Sequence, residues 1–267
     1  MGTSIFNRHE NAGRAGMARR LLTALLAMVL LCGVLTAQAE DKLAPYKTVG
    51  SIVTFGRYEQ DNQTENGPEA IEWIVLDVEG DKALLLSKYG LEPIQYHKKY
   101  VRITWENCTL RSWLNDTFLN TAFTPEEQTA VLLTEVDNSP AQCYGKWTTP
   151  SGNNTQDRVF LLSYAEANKY FDATWENGAN EKSRAAMTPY AVARHAWTKR
   201  EFQTEDGQDA GRWWLRSPGR HPNRAAYIYC SGALRDSHVT SFDRMFGIAV
   251  ARPAFWIDLN ALATIME

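Results

Sequence analysis

From residue 51 onward the apolar positions alternate before they begin to recur at helical spacing. Ile52, Val53 and Phe55 lie in a short β-rich run that ends near Tyr58. Ile71, Trp73, Val75 and Asp77 fall on one side of the next run, with Glu72, Ile74 and Leu76 on the other. Glu79-Gly80-Asp81 then turns the chain into residues 82–87, so an antiparallel hairpin is predicted. Apolar residues on both of its faces imply a sheet covered on both sides. Leu110, Trp113, Leu114 and Phe118 recur with the helical period and predict a helix over residues 109–119, with Trp113 in the core. Thr124-Pro125-Glu126-Glu127 and Ser163-Tyr164-Ala165-Glu166 are capping boxes, each opening a helix. The apolar run 159–162 reads as a strand, and Thr188-Pro189 opens a further short helix.

After Thr198 the pattern loosens. Residues 199–211 read as a polar loop, and Trp213, Trp214 and Leu215 as a strand. Residues 217–246 are rich in turn formers, with short strand candidates only at 225–229 and 233–234; residues 248–253 close as a strand. Strands at both ends with helices between them predict an α+β domain in which the first and last strands pair, residues 51–58 beside 248–255. The segment between Trp214 and Ile248 is then a long, framed, loop-rich excursion, where binding residues concentrate.

The first 39 residues read differently. Arg19 and Arg20 precede an apolar run over 21–34, and Ala37-Gln38-Ala39 supplies a small-x-small cleavage pattern. This order predicts a secretory signal removed after Ala39, with Met17 as the natural start. Cys32 follows Leu31 rather than a small residue, which matches a lipid-anchor signal poorly. The mature chain, 40–267, is thus expected to be one exported domain, whether extracellular, periplasmic or at the bacterial cell surface.

Composition narrows the function classes. The net charge is −3, so nucleic acid is not an expected partner, and no second apolar stretch is long enough to span a membrane. Of four cysteines, Cys32 lies in the leader, which leaves Cys108, Cys143 and Cys230 with an odd thiol and no CxxC spacing. Nine tryptophans point to a rigid core and an aromatic contact surface.

A series of segments carries a resemblance. In order they include Thr54-Phe55-Gly56, Tyr58-Glu59-Gln60-Asp61-Asn62, Ile71-Glu72-Trp73-Ile74, Leu110-Arg111-Ser112-Trp113-Leu114-Asn115, Trp213-Trp214-Leu215-Arg216-Ser217-Pro218-Gly219 and Val250-Ala251-Arg252-Pro253-Ala254-Phe255. Together they resemble the DUF6273 family, which includes a Treponema variable protein diversified by a retroelement. The resemblance implies a C-type-lectin-like fold of the formylglycine-generating-enzyme type, with small antiparallel sheets and flanking helices. It also implies that residues 220–246 are the variable, ligand-contacting segment, framed by Ala225, Ala226, Gly232 and Gly247. Ala251 departs from the family pattern, in which valine runs directly into arginine.

On that basis the contact residues are expected to be Tyr227, Tyr229, His238 and Phe242, interleaved with Arg220, Arg224, Arg235 and Asp236. His221, Asn223, Cys230, Ser237, Thr240 and Asp243 complete the patch, and Trp214 is expected at its floor. Residues 220–244 contain no Lys, Glu, Gln, Trp or Met. Randomising the adenines of AAY codons leaves that gap; a turn-rich segment leaves it too, and both readings stand.

Other chemistries fit less well. His221, Cys230, Asp236 and His238 meet no metal-ligand spacing, so no metal or other cofactor is expected. Ser217 or Ser231 with His238 and Asp243 would make a triad, but no Gly-x-Ser-x-Gly surrounds either serine. Arg216 and Arg252, each beside a proline-bearing strand end, read as structural forks for loop carbonyls. The expected function is binding of a protein or glycan rather than catalysis. The alternative is an enzyme of the formylglycine-generating type, whose chemistry needs a close cysteine pair to hold copper(I); none is spaced for it. Calcium-dependent sugar binding lacks the Glu-Pro-Asn, Gln-Pro-Asp and Trp-Asn-Asp motifs.

Overall fold

The computed structural model describes residues 42–175, 178–240 and 247–266; the signal expected over residues 1–39, and Phe242 and Asp243, lie outside them. Pro45–Ile265 form one compact unit. It is a mixed α+β structure of curled sheets and short helices.

The chain begins with β1 (Ile52–Tyr58), β2 (Glu69–Glu79) and β3 (Lys82–Ser87), followed by the two-residue β4 (Glu92–Pro93). Gly80 takes a positive φ of 58° at the β2–β3 turn, as the sequence required. Helix α1 (Thr109–Trp113) continues through a π-helical turn, Leu114–Phe118, into α2 (Leu119–Ala122); α3 (Glu127–Ala130) follows. Next come β5 (Thr134–Val136), β6 (Thr155–Asp157), α4 (Tyr164–Phe171) and α5 (Pro189–Ala193). The second half holds β7 (Thr198–Gln203), β8 (Asp209–Gly211), β9 (Trp213–Pro218), β10 (Arg224–Ile228), β11 (Leu234–His238), β12 (Val250–Ala251), β13 (Ala254–Asp258) and α6 (Leu259–Met266). Among the described residues no helix is long and apolar enough to cross a membrane.

Two sheets organise the unit. The first has the order β1-β2-β3-β13, the second β11-β10-β9-β12-β4. The first and last strands therefore do not pair, which corrects the sequence expectation. β1 pairs with β2 and β13 with β3, each antiparallel, so they occupy opposite edges of one sheet. The long β2–β3 hairpin has two free edges, and each outer strand satisfies one. β12, expected to continue this sheet, instead bridges β4 and β9 in the second.

The helix start signals hold. Thr124 and Glu127 exchange the two hydrogen bonds of a capping box, at 3.2 and 2.8 Å. Ser163 and Glu166 do the same at α4, and the Thr188 hydroxyl accepts from Ala191 N at α5. Other expectations need correction. Residues 159–162 are buried but form only an isolated bridge, Phe160 to Ala254, because Asn115 claims the backbone beside them. Its Oδ1 accepts from Arg158 N and Val159 N, and its Nδ2 donates to Val159 O. Residues 199–211 form the β7–β8 hairpin rather than a loop, since exposed strands can be polar on both faces. Trp113 is half-buried, not core.

The core proper joins β1 and β2 to β13. Trp73 is fully buried, meets Phe255 edge-on at 4.8 Å and donates its indole N–H to Phe55 O at 2.7 Å. Trp213 and Trp214 are both 0% exposed. The two arginines read as structural forks act as such. Arg252 donates to the Ser87 and Lys88 carbonyls, while Arg216 donates to those of Leu161 and Asp137.

Candidate functional site

The segment expected to be an irregular excursion is largely a β-hairpin. β10 and β11 pair in register from Arg224↔His238 to Ile228↔Leu234. Its tip is clamped: Asn180 N donates to Ser231 O, and the Ser183 hydroxyl donates to Gly232 O. Gly232 has φ +85°, and a methyl group there would lie 1.7 Å from the Asn180 carbonyl oxygen. The tip is therefore fixed by a residue that admits no side chain.

Strand pairing then splits the expected patch between two faces. Tyr227 and Arg235 stand directly opposite each other, with Tyr229 two residues along. Arg224, Asp236 and His238 occupy the other face. On the first face Tyr227 is buried, packed edge-on against Trp214 at 6.0 Å, which corrects the expectation that it contacts ligand. Burial also pushes the Tyr227 phenol above its ordinary range. Trp214 is not an accessible floor either; its N–H donates to Ile94 O. Cys230 is buried, its thiol pushed up to about 11 by desolvation. All three side chains are buried in the core. Tyr229 is half-buried beneath the Arg212 guanidinium at 5.1 Å.

The second face is buried at Ala226, Ile228 and Leu234 and opens only at its Arg224–His238 end. Gly219 makes room for it: a methyl group there would lie 2.8 Å from the Cβ atoms of both Arg224 and Asp236. Those two side chains approach to 3.6 Å, and Asp236 also accepts from Arg220 N at 2.9 Å. The 97–103 loop is tethered alongside. Ile103 N donates to Pro222 O at 2.9 Å and His97 N to Val239 O at 3.0 Å. The loop base is held by Asp157, which accepts from the Trp105 indole and from Arg111 Nε. Tyr100 of this loop meets His238 edge-on at 5.0 Å. Between loop and hairpin lies a cleft of about 550 Å³ lined by Tyr100, Arg102, His221, Pro222, Asn223, Arg224 and His238.

Four expected contact residues, His221, Asn223, Arg224 and His238, thus come together, with Asp236 beneath them. Arg220 and Arg235 converge elsewhere, stacking on Trp175 at 4.9 and 5.6 Å. Ser237 is half-buried on the Tyr227 face, and Thr240 follows β11, its carbonyl accepting from Gln95. Tyr100, Arg102 and Trp175 were missed. A signal existed in Lys98-Lys99-Tyr100-Val101-Arg102, a short run of cations around two apolar residues that proves exposed.

The same geometry separates the residues of the rejected metal set. Cys230 sits at the clamped tip, His221 and His238 at the open end. An acidic trio, Glu59, Asp61 and Glu69, places oxygens within 4.8 Å of one another. Glu69 and Asp61 accept backbone N–H groups of Gln60, Asp61 and Gln63 there, which accounts for the trio as turn structure. Cys108, Cys143 and Cys230 are all free thiols.

A model of a domain of unknown function, DUF6273, matches residues 80–259, more than half the chain. The chain belongs to the DUF6273 family. No curated protein and no solved structure matches it. The DUF6273 match starts at the β2–β3 turn and ends where α6 begins, so it takes in both the 97–103 loop and the β10–β11 hairpin. Framing residues of this DUF6273 chain are closely packed: Ala225 and Ala226 are 0% exposed, and Gly247, at φ +68°, lies against Trp197.

Proposed function

We propose that this chain is an exported, non-catalytic binding protein. On this reading it recognises a protein or glycan through the β10–β11 hairpin, displayed on a C-type-lectin-like scaffold of the formylglycine-generating-enzyme type. The observation that carries the reading is the cleft between the 97–103 loop and the hairpin's open end. It joins an exposed aromatic, two guanidiniums, two imidazoles and an amide on a frame clamped at the opposite end. Such a mixture of rigid aromatic and directional polar groups is contact chemistry. The thiols support a non-catalytic role: burial pushes Cys108 up to about 12 and Cys230 to about 11, far from a reactive thiolate.

The test is binding by a double variant. Parent protein and Tyr100→Ala/His238→Ala are compared on protein and glycan arrays. The variant should fold and lose the parent's ligands; a folded variant that keeps all of them refutes the reading. Export is checked separately by N-terminal sequencing, which should begin Glu-Asp-Lys. Diversification of 220–246 calls for a neighbouring reverse-transcriptase gene and a near-copy of this coding segment.

A further inference from the structure

The charge around the cleft runs against that of the whole chain. The net charge is −3, yet Lys98, Lys99 and Arg102 of the 97–103 loop are exposed. Residues 93–105 and 218–224 contain no acid at all. Among the described residues of the hairpin the acid is Asp236, whose side chain is 5% exposed and already engaged by Arg224 and by Arg220 N. Among the described residues Arg102 has no ion-pair partner, and it lines the cleft. A guanidinium presents a planar fork that matches a carboxylate or sulfate in two parallel hydrogen bonds.

We propose that the cleft takes an acidic saccharide, its carboxylate or sulfate group held by Arg102 and Arg224. This rests on the reading of the hairpin cleft as the ligand site and names the ligand's chemistry. The other lining groups fit a sugar ring. Asn223, His221 and His238 can each donate and accept, as a polyhydroxylated ring requires. Tyr100, 57% exposed, offers a flat apolar face for the ring's C–H side. A volume of about 550 Å³ suits one or two rings rather than a continuous strand. A polyphosphate chain is the competing anion. It depends on long-range attraction and many phosphate contacts, which a chain of net charge −3 with one short cationic end does not supply.

The experiment titrates the full chain with digalacturonate, its dimethyl ester, a sialylated trisaccharide and a short single-stranded DNA. Each is repeated with Arg102→Gln and with Lys47→Gln, an exposed cation elsewhere that makes the same change in net charge. At least one acidic saccharide should bind, and Arg102→Gln should weaken it by about tenfold or more, since the lost bond is charge-assisted. Lys47→Gln should leave binding unchanged. If digalacturonate is the ligand, its ester should bind at least about tenfold more weakly, and Arg102→Gln should not weaken the ester further. Equal binding of ester and acid overturns the proposal, as does DNA bound more tightly than any saccharide and released by Arg102→Gln. So does a parent that binds no acidic saccharide while its array ligands are lost in Tyr100→Ala/His238→Ala. Those three outcomes leave the cleft as the binding site. If no binding at all depends on the cleft, the broader reading falls with this one.

Discussion

Arg216 donates to both carboxylate oxygens of Glu166, linking β9 to the first turn of α4 across fifty residues of sequence. The same guanidinium donates to the carbonyls of Leu161 and Asp137 and to Asn138 Oδ1. One side chain, 2% exposed, thus ties together four segments that share no sheet. Glu166 serves twice, because its carboxylate also closes the α4 capping box by accepting from Ser163 N at 2.9 Å.

Glu166→Gln should separate these two roles. Glutamine keeps the capping box, so the loss belongs to the charge pair. We expect about 3 kcal/mol of destabilisation, the low end for a broken buried pair, because Glu166 is 26% exposed. Urea unfolding of parent and variant measures it. A change below about 0.5 kcal/mol, the ordinary surface range, would show that the pair contributes little.

Tyr227→Ala and His238→Ala should behave in opposite ways although both lie on the same hairpin. Tyr227 is buried against Trp214, and its truncation should cost about 3 kcal/mol or more. His238 is exposed, and its removal should stay within about 0.5 kcal/mol. Thermal melts decide; equal shifts would contradict the two-faced hairpin.

Gly232→Ala should destabilise the hairpin tip by more than about 1 kcal/mol, through left-handed strain and the collision with Asn180 O together. Hydrogen exchange should show the loss first at Asn180 N, which donates to Ser231 O. Protection there equal to the parent's would mean that the tip is not clamped through this contact.

Glu92 gives stability a pH dependence opposite to that of a typical carboxylate. Burial pushes its carboxyl up, and Arg194 and the Tyr58 hydroxyl only partly offset this. A raised folded-state value means that the folded chain binds the proton more tightly than the unfolded one. Its contribution is therefore favourable below the unfolded value of about 4.3 and lost as pH rises through the folded value. Glu92→Gln should lack this loss, so the stability difference should shift toward the variant with rising pH across that window. Urea midpoints at a series of acidic pH values test it; a constant difference would show the carboxyl to be unshifted.

The thiols of Cys108, Cys143 and Cys230 should label in order of access. Cys143 is half-buried, whereas Cys108 and Cys230 are buried and pushed up to about 12 and about 11. Alkylation of the native protein followed by mass spectrometry should modify Cys143 first and leave the other two until the chain unfolds. Early labelling of Cys230 would place the hairpin tip in solvent.

Local structure was legible wherever neighbouring residues dictate it. The two capping boxes, the β2–β3 turn at Gly80 and the α5 start at Thr188-Pro189 follow from side chains that bond backbone within a few positions. So does the α+β character, which needs only the order of strand and helix patterns. What the sequence could not decide was partnership. Each free edge of the β2–β3 hairpin can accept any extended segment, and only the closed structure assigns β1 to one and β13 to the other. The same holds for the candidate site. Alternation within residues 224–238 puts Tyr227 and His238 on opposite faces, but not which positions are covered; Trp214, arriving through β9, packs on Tyr227, while His238 stays exposed. Tyr100 and Arg102 lie more than a hundred residues before the hairpin and reach His238 and Arg224 through backbone bonds to Pro222 and Val239. Their residue types were visible in the chain, while the cleft they make exists only once long-range pairing has brought loop and hairpin side by side.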